Sequence, residues 1–201
     1  MQGRFIVLEG PDGSGTSTHS RLLADSLKAT GQEVLLTAEP TDSPIGLFIR
    51  QQLKEKTISS GSALQLLFCA DRAWHIANVI KPALKAGKTV VCDRYVISTL
   101  VYGEALGLDP EWLVRVNTPF IEPDVLLLAL PSFETCMQRI GKREQLDVFE
   151  NHPFQRKVYD LYTRVAEEDD TVHCIDTSRS QERVAQDVFG IARGLLEDDS
   201  L

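Results

Sequence analysis

A glycine-rich segment, G-P-D-G-S-G-T-S-T at residues 10–18, follows an apolar run and leads directly into a helical pattern. The backbone N–H groups of such a loop, placed before a helix N-terminus, are suited to bind phosphate. Phosphate-binding loops read G-x-x-x-x-G-K-[ST]; Gly10, Gly15 and Ser17 fit this pattern, but Thr16 stands where the lysine belongs. The sequence therefore predicts a phosphate-binding loop without its usual cation.

Short apolar segments, rich in β-branched residues, alternate with helical patterns along the chain. This alternation is typical of a parallel sheet covered by crossover helices on both faces, and it predicts an α/β fold with five strands. The predicted strands are 5–9, 34–37, 89–92, 125–130 and 172–175. The predicted helices are 17–30, 62–86, one that begins at 109–110, 132–143, 154–169 and 180–196.

Two interruptions divide the helical patterns. Pro82 is expected to kink or divide the long pattern at 62–86, because proline removes a backbone donor from the helix. The polar stretch 141–152 separates two predicted helices and is a candidate mobile lid. No internal repeat or domain linker is visible, so the 201 residues are expected to form one domain, 1–201.

Charge and composition exclude several classes of protein. A net charge of −8 and a pI near 5.0 disfavour binding to nucleic acid, which requires a basic face. No apolar stretch is long enough to span a membrane, and the strand-like run just after Met1 leaves no visible targeting peptide. We therefore expect a cytoplasmic protein. The four cysteines, Cys69, Cys92, Cys136 and Cys174, lack metal-site spacing and are expected to be buried reduced thiols.

An acidic residue and two arginines are candidates for phosphate chemistry. Asp93 follows an apolar strand, where ligands of α/β sheets bind, and with Ser17 it could hold Mg²⁺. Arg139 and Arg143 lie four residues apart, which places them on one helix face beside the lid, and Gly13 is expected to leave room above the loop for such an arginine. A turn residue and a solvated helix face are the alternative interpretations.

The chain resembles the thymidylate kinase family over nearly its whole length. The resemblance rests on FIVLEGPDGSG at 5–15, EP at 39–40, LLFCADRAWHI at 66–76, GKTVVCDRYVIST at 87–99 and IDTSRS at 175–180. Phe-x-x-x-Arg within this set, followed by Asp-Arg-Tyr, is more specific than the glycine loop. The resemblance implies a three-layer P-loop kinase fold, a homodimer, and phosphoryl transfer from ATP to dTMP with Mg²⁺.

The resemblance also implies roles for individual residues. Phe68 would stack on thymine, Arg72 would donate a hydrogen bond to the base, and Tyr102 would exclude a ribose 2′-hydroxyl. Asp12 would reach the 3′-hydroxyl, and Arg94 would bind the acceptor phosphate. The implied substrate-binding set is Asp12, Glu39, Pro40, Arg50, Phe68, Arg72, Arg94, Ser98 and Tyr102. The implied ATP-binding set is Gly10, Pro11, Asp12, Gly13, Ser14, Gly15, Thr16, Ser17, Thr18 and Arg179.

The family supplies a catalytic arginine either from the glycine loop or from the lid. Gly13 occupies the loop position, so the lid version, with Arg139 or Arg143 beside Arg94, is implied. Some positions depart from the family pattern: Thr16 replaces the lysine, Ala38 replaces an arginine, and Thr41-Asp42-Ser43 replaces glycines. An arginine from the lid, Arg4 or Arg21 could restore the missing charge.

These departures leave two other functions open. One is a nucleotide-binding homologue with weakened catalysis that acts through protein partners. The other is a kinase for a different nucleotide or nucleoside.

Overall fold

The computed structural model describes residues 3–55, 57, 60–142, 149 and 152–198. Five parallel strands form one sheet in the order β2-β3-β1-β4-β5, which confirms the predicted α/β class. The strands are β1 (Phe5–Glu9), β2 (Val34–Ala38), β3 (Thr89–Asp93), β4 (Val125–Ala129) and β5 (Val172–Ile175). Each lies within one residue of its predicted bounds.

Helices cover both faces of the sheet. In the described part of the chain they are α1 (Thr16–Ala29), α2 (Pro44–Glu55), α3 (Gly61–His75), α4 (Lys81–Lys85), α5 (Val96–Ala105), α6 (Pro110–Asn117), α7 (Phe133–Ile140), α8 (His152–Glu168) and α9 (Gln181–Asp198). None of these described helices is long and apolar enough to cross a membrane.

The side chains of β1 alternate between the two layers of core. Ile6 and Leu8 pack in a cluster with residues of α1 and α9, such as Leu23. Phe5 and Val7 pack on the opposite face with Ile76 and other residues before α4. This alternation is the period-two pattern of a strand buried on both faces, and it produces three layers.

Some helices differ from their predicted bounds. The long pattern divides at a π-helical turn, Ile76–Ile80, which precedes Pro82 in the first turn of α4. Helix α7 ends at Ile140, earlier than predicted, and Arg143 lies outside the described residues. Two helices, α2 and α5, were not predicted. Of the predicted lid, 141–152, the structure describes only residues 141, 142, 149 and 152.

Three of the cysteines are buried as expected, but Cys174 is exposed. It lies on β5, the edge strand of the sheet, where a strand has a neighbour on one side only. The expectation that all four thiols are buried was therefore wrong for this position.

Asp71 of α3 anchors the connection between β2 and α2. Its carboxylate accepts hydrogen bonds from the Thr41 N–H at 2.7 Å, the Thr41 hydroxyl at 2.6 Å and the Ser43 hydroxyl at 2.8 Å. The Ser43 Oγ also accepts from the N–H of Gly46 in the first turn of α2. The hydroxyl residues that replace glycines in this connection thus fix it to α3.

We expect Asp71→Ala to lower the free energy of unfolding by about 3 kcal/mol, because it leaves buried donors without their charged acceptor. Chemical denaturation measures this loss. The matched control is Asp42→Ala in the same connection; its side chain is 95% exposed, so we expect a change within about 0.5 kcal/mol. Equal losses in the two variants would contradict the anchoring role.

Candidate active site

The phosphate loop, residues 10–15, joins β1 to α1 and lies against α7. Gly13 adopts a φ of +79°, a conformation that favours glycine. A Cβ built on Gly13 would collide with the carbonyl oxygen of Cys136 in α7. The expectation of open space above Gly13 was therefore wrong, since α7 fills that space.

Arg139 of α7 binds the backbone of the phosphate loop. Its Nη1 donates to the carbonyl oxygens of Gly13 at 3.1 Å and Ser14 at 3.2 Å, and its Nη2 donates to the Thr177 carbonyl at 2.7 Å. In a trans peptide, the carbonyl and the following N–H point in opposite directions. The bond to the Ser14 oxygen therefore turns the N–H of Gly15 away from Arg139.

Thr16 is buried at the first position of α1, one residue beyond the loop. His19, also buried, lies on the next turn of the helix. Burial lowers the pKa of His19, and the charge of Arg139 lowers it further. Because that pKa falls below the ordinary value of 6.5, His19 is neutral at pH 7 and cannot replace the lysine charge.

Arg4 cannot replace that charge either. It precedes β1, whereas the phosphate loop follows it, and five strand residues span roughly 16 Å. The Arg4 guanidinium pairs with Asp124 at 3.4 Å. The suggestion that Arg4 approaches the phosphates was therefore wrong. Arg21 lies on the exposed side of α1.

Ser17 and Asp93 meet beside the loop, as predicted. The Ser17 hydroxyl donates to Oδ2 of Asp93. Oδ1 of Asp93 is buried and has no hydrogen-bond partner among the described residues. Hydroxyl and carboxylate oxygens are the ligand atoms that Mg²⁺ prefers, so this pair, with one carboxylate oxygen unpaired, fits a magnesium ion.

Arg94 turns its side chain back toward the phosphate loop. Its φ of +68° is unusual for a residue other than glycine, and such backbone strain clusters at functional sites. The guanidinium donates to Oδ1 of Asp12 at 2.7 Å and to the Gly10 carbonyl at 2.9 Å. The other carboxylate oxygen of Asp12 accepts from Nε2 of Gln155 in α8 at 2.8 Å.

Environment keeps Arg94 charged. Burial alone lowers the pKa of its guanidinium, but neighbouring acidic groups, Asp12 among them, more than reverse this effect, and the pKa lies well above its ordinary value. Burial also raises the pKa of the Tyr102 phenol well above 10, so Tyr102 is neutral. The Arg94 guanidinium lies 5.6 Å from the centre of the Tyr102 ring.

Arg72 is almost fully buried and joins the elements around the site. Its Nε donates to Glu39 at 2.9 Å, and its Nη1 donates to the side-chain oxygen of Asn117 at 2.5 Å. Its Nη2 donates to the Tyr95 carbonyl at 2.7 Å and the Thr99 hydroxyl at 2.8 Å. Four of the five guanidinium N–H groups thus have acceptors among the described residues, and one N–H on Nη1 remains.

A second buried residue shares the carboxylate of Glu39. Nδ1 of His75 lies 3.0 Å from Oε1 of Glu39, and its Nε2 lies 2.7 Å from the hydroxyl of Thr37 in β2. The end of β2 is therefore joined to α3 by two adjacent contacts, one from Arg72 and one from His75.

A cavity of about 490 Å³ brings the predicted acceptor residues together. All nine residues of the predicted substrate-binding set line it, as do Ser17 and Asp93 of the predicted metal site. Further lining residues are Ala38, Leu53, Gln65, Tyr95, Thr99 and Phe149. The cavity thus extends from the base-binding candidates on α3 to the phosphate loop.

Arg139 and Arg179 lie outside the lining of this cavity. Arg179, in the connection between β5 and α9, pairs with Asp187 at 2.7 Å. Thr177 in the same connection donates its hydroxyl to the Ser14 carbonyl at 2.6 Å, which ties the connection to the phosphate loop. Pro11 and Gly15 lie in the loop between β1 and α1, and Thr18 lies in the first turn of α1.

Several buried polar residues of the site were not predicted. Glu9 ends β1, and its carboxylate accepts from the N–H groups of Tyr95 and Ser98 and from the Tyr162 hydroxyl. An acidic residue at the end of an apolar strand, as with Asp93, was a usable signal for it. The others are Gln65, Asp71, His75, Asn117 and Gln155, and no local sequence pattern indicated that they would be buried.

A family model described as thymidylate kinase matches residues 8–188. A probable thymidylate kinase of Pyrococcus horikoshii is 42% identical over 96% of this chain and 97% of its own length. A probable thymidylate kinase of Thermococcus kodakarensis is 42% identical, covering 97% of this chain and all of its own length. A thymidylate kinase of Caldicellulosiruptor saccharolyticus is 37% identical over 98% of both chains. The chain, with its parallel sheet, glycine loop and adjoining cavity, belongs to the thymidylate kinase family.

Proposed function

We propose that this chain transfers the γ-phosphoryl group of ATP to dTMP and forms dTDP. The observation that carries the proposal is the single cavity that joins the base-binding candidates, Phe68 and Arg72, to the phosphate loop. A nucleoside monophosphate bound in it would place its phosphate beside a bound ATP. Holding two reactants in this way removes much of the entropic barrier to transfer.

At the base end, Phe68 and Arg72 recognise thymine. The Phe68 ring covers one face of the base, and the remaining N–H of Arg72 donates to a base carbonyl. Because Glu39 and Asn117 hold the guanidinium rigidly, this donor is positioned before the base arrives. The buried Tyr102 ring occupies the sugar side, where it excludes a ribose 2′-hydroxyl. Pro40 and Ser98 complete the walls.

At the phosphate end, Arg94 and Arg50 bind the acceptor phosphate. Arg50 donates to the Thr41 carbonyl at 2.8 Å and to the Pro40 carbonyl, which directs its guanidinium into the cavity. Arg94 is the catalytic residue of this pair, because its charge also stabilises the transferring group. Asp12 holds Arg94 in place and accepts a hydrogen bond from the 3′-hydroxyl.

The ATP phosphates bind backbone N–H groups of the phosphate loop, such as that of Gly15, and of the first turn of α1, and Ser17 and Asp93 would hold Mg²⁺. Bound between these two side chains, a magnesium ion would neutralise phosphate charge. Arg179 and its neighbours 176–180 lie on the adenine side. We further propose that Arg139 fixes the loop in its binding conformation, while Arg143, outside the described residues, is the lid arginine on the transferring group.

The threonine at position 16, where the loop lysine belongs, favours a second candidate function. In this alternative the chain is a homologue with weakened catalysis that acts by binding partners. Losing a cation near the phosphates costs on the order of 4 kcal/mol at an effective dielectric constant of 20. Without compensation, that loss would slow transfer roughly a thousandfold. A kinase for another nucleotide is the remaining alternative, and it would use the same cavity.

A coupled assay with ATP, Mg²⁺ and a panel of acceptors tests the function. We expect dTMP to give the highest kcat/KM, with dUMP weaker by about 1 to 3 kcal/mol, the worth of one buried methyl group. A preference for dCMP, AMP or thymidine would contradict the proposal.

Asp93→Ala should abolish Mg²⁺-dependent transfer with an unchanged melting temperature, whereas Asp25→Ala on the exposed side of α1 should retain activity.

Two substitutions test what replaces the lysine. Arg139→Ala should lower kcat by about a hundredfold, because a loop displaced by about 1 Å misaligns the reacting groups. Thr16→Lys should change kcat less than about tenfold, because in the proposed function Mg²⁺ and Arg143 already neutralise the phosphate oxygens. Steady-state kinetics in both substrates measure these effects, with Arg115→Ala on the surface of α6 as the control. A rise of several orders of magnitude in Thr16→Lys would instead favour the weakened homologue.

We also propose that the protein is a cytoplasmic homodimer of one-domain subunits. Exposed apolar side chains lie on α3 and on two helices that contact it, namely Leu66 on α3, Leu47 and Phe48 on α2, and Val114 on α6. Such clusters mark protein interfaces. The charge of −8 and the acidic pI support small nucleotides, rather than nucleic acid, as ligands.

Sedimentation equilibrium tests the dimer. We expect twice the chain mass of 22.4 kDa for the wild type and the monomer mass for Leu66→Glu, because a charge in an apolar interface is costly to desolvate. Leu36→Glu is the control, since Leu36 is an exposed apolar residue on β2, the edge strand of the sheet, and not on these helices. A monomeric wild type would exclude the dimer.

A further inference from the structure

One face of α3 lines the acceptor cavity. Gln65, Phe68, Arg72 and His75 follow one another at spacings of three, four and three residues, which places them on a single helix stripe. The first three line the cavity. Phe68 and Arg72 have roles in the proposed function, and His75 bonds Glu39 and Thr37. Gln65 has no role in that scheme.

Gln65 is fully buried, yet neither end of its amide is satisfied. Its side-chain oxygen and nitrogen both lack a hydrogen-bond partner among the described residues. A buried amide without partners destabilises a protein, and most buried polar groups have at least one. Gln155, the other buried glutamine of the site, donates to both Asp12 and the Phe149 carbonyl.

The cavity that Gln65 lines also has apolar and aromatic walls. Cavity-lining residues on neighbouring elements include Leu53 of α2, Tyr102 of α5 and Phe149. An apolar side chain at position 65 would pack here without the cost of an unpaired amide. The group that satisfies Gln65 is therefore expected to enter with a ligand of the cavity.

We propose that Gln65 is a specificity-determining residue that hydrogen-bonds the pyrimidine base of the acceptor. This inference rests on the proposed function, because it places the base on Phe68. Gln65 lies three residues from Phe68 on one side, about 4.5 Å along the helix, and Arg72 lies four residues away on the other, about 6 Å. A base on Phe68 therefore lies between these two polar side chains.

The chemistry of an amide fits the part of the base that Arg72 leaves free. Thymine carries an imide N–H between two carbonyl groups. Arg72 has only donors and takes one carbonyl. The Gln65 amide offers a donor and an acceptor side by side, which match the imide N–H and the second carbonyl, as glutamine pairs with base edges elsewhere. The contact does not involve the 5-methyl group, so it serves dTMP and dUMP equally.

The test compares Gln65→Met with the wild type by calorimetric titration of dTMP and dUMP in the absence of ATP. Methionine keeps the length of the side chain and removes both hydrogen-bonding groups. We expect the Kd for each nucleotide to rise tenfold or more, with the ratio between them unchanged. The melting temperature of the free protein should stay the same or rise, because an unpaired buried amide is removed. Gln51→Met on α2 is the matched control, since Gln51 is exposed and donates to Glu55 on the same helix.

The outcomes separate the two proposals. Unchanged dTMP affinity in Gln65→Met, with normal binding by the wild type, overturns the role of Gln65 and leaves the proposed function intact. A lower melting temperature with unchanged affinity shows that the amide has a partner within the protein, and it overturns the inference as well. A wild type that binds neither nucleotide overturns both proposals. A loss confined to dTMP would indicate contact with the methyl group instead, and it also contradicts the inference.

Discussion

The buried guanidinium of Arg72 is the interaction on which the acceptor cavity depends. It joins Glu39 beyond β2, Asn117 at the end of α6 and Thr99 in α5, so three separate elements converge on one side chain of α3. Removing one partner of a buried ion pair typically costs 3–5 kcal/mol, because the other charge remains desolvated. The shape of the cavity and the position of its base-reading donor are therefore set by the same contacts.

Three neighbouring strands place acidic side chains at the carboxyl-terminal end of the sheet. Glu9 ends β1, Asp93 ends β3 and Glu39 follows β2. The three carboxylates have different partners because their surroundings differ. Glu9 accepts N–H groups at the start of α5, where a helix N-terminus favours negative charge. Asp93 pairs with Ser17 and keeps one oxygen free, while Glu39 balances a buried arginine. Parallel topology alone places all three together.

The sequence was sufficient for the sheet and for most of the cavity lining. Apolar runs of four to six residues located every strand, and the family motifs located many of the residues that line the cavity. Helix α5 was missed because it is rich in β-branched residues such as Val96, Ile97 and Val101, and it lacks a clear polar face. Helix α2 carried a usable signal, because Ser43 caps its first turn and Pro44 is its first residue.

The pairings inside the site were beyond the reach of sequence patterns. Asp71 bonds residues about thirty positions earlier, and Arg139 bonds the phosphate loop across more than a hundred. Such contacts depend on how helices pack against the sheet, which local propensity does not determine. The burial of Gln65 was missed for another reason. A glutamine within an apolar helix pattern is expected on the surface, whereas in the structure Gln65 is buried.

The packing of α7 on Gly13 restricts how this chain could evolve. An arginine at position 13 would need both a left-handed backbone and the space that the Cys136 carbonyl occupies. A single substitution there would displace α7, and with it the Arg139 bonds that hold the loop. An arginine from the phosphate loop, the alternative that the family resemblance implied, is therefore separated from this chain by a structural barrier. A chain with α7 packed on the loop in this way would need a different position for that helix before it could carry an arginine at position 13 in place of one from the lid.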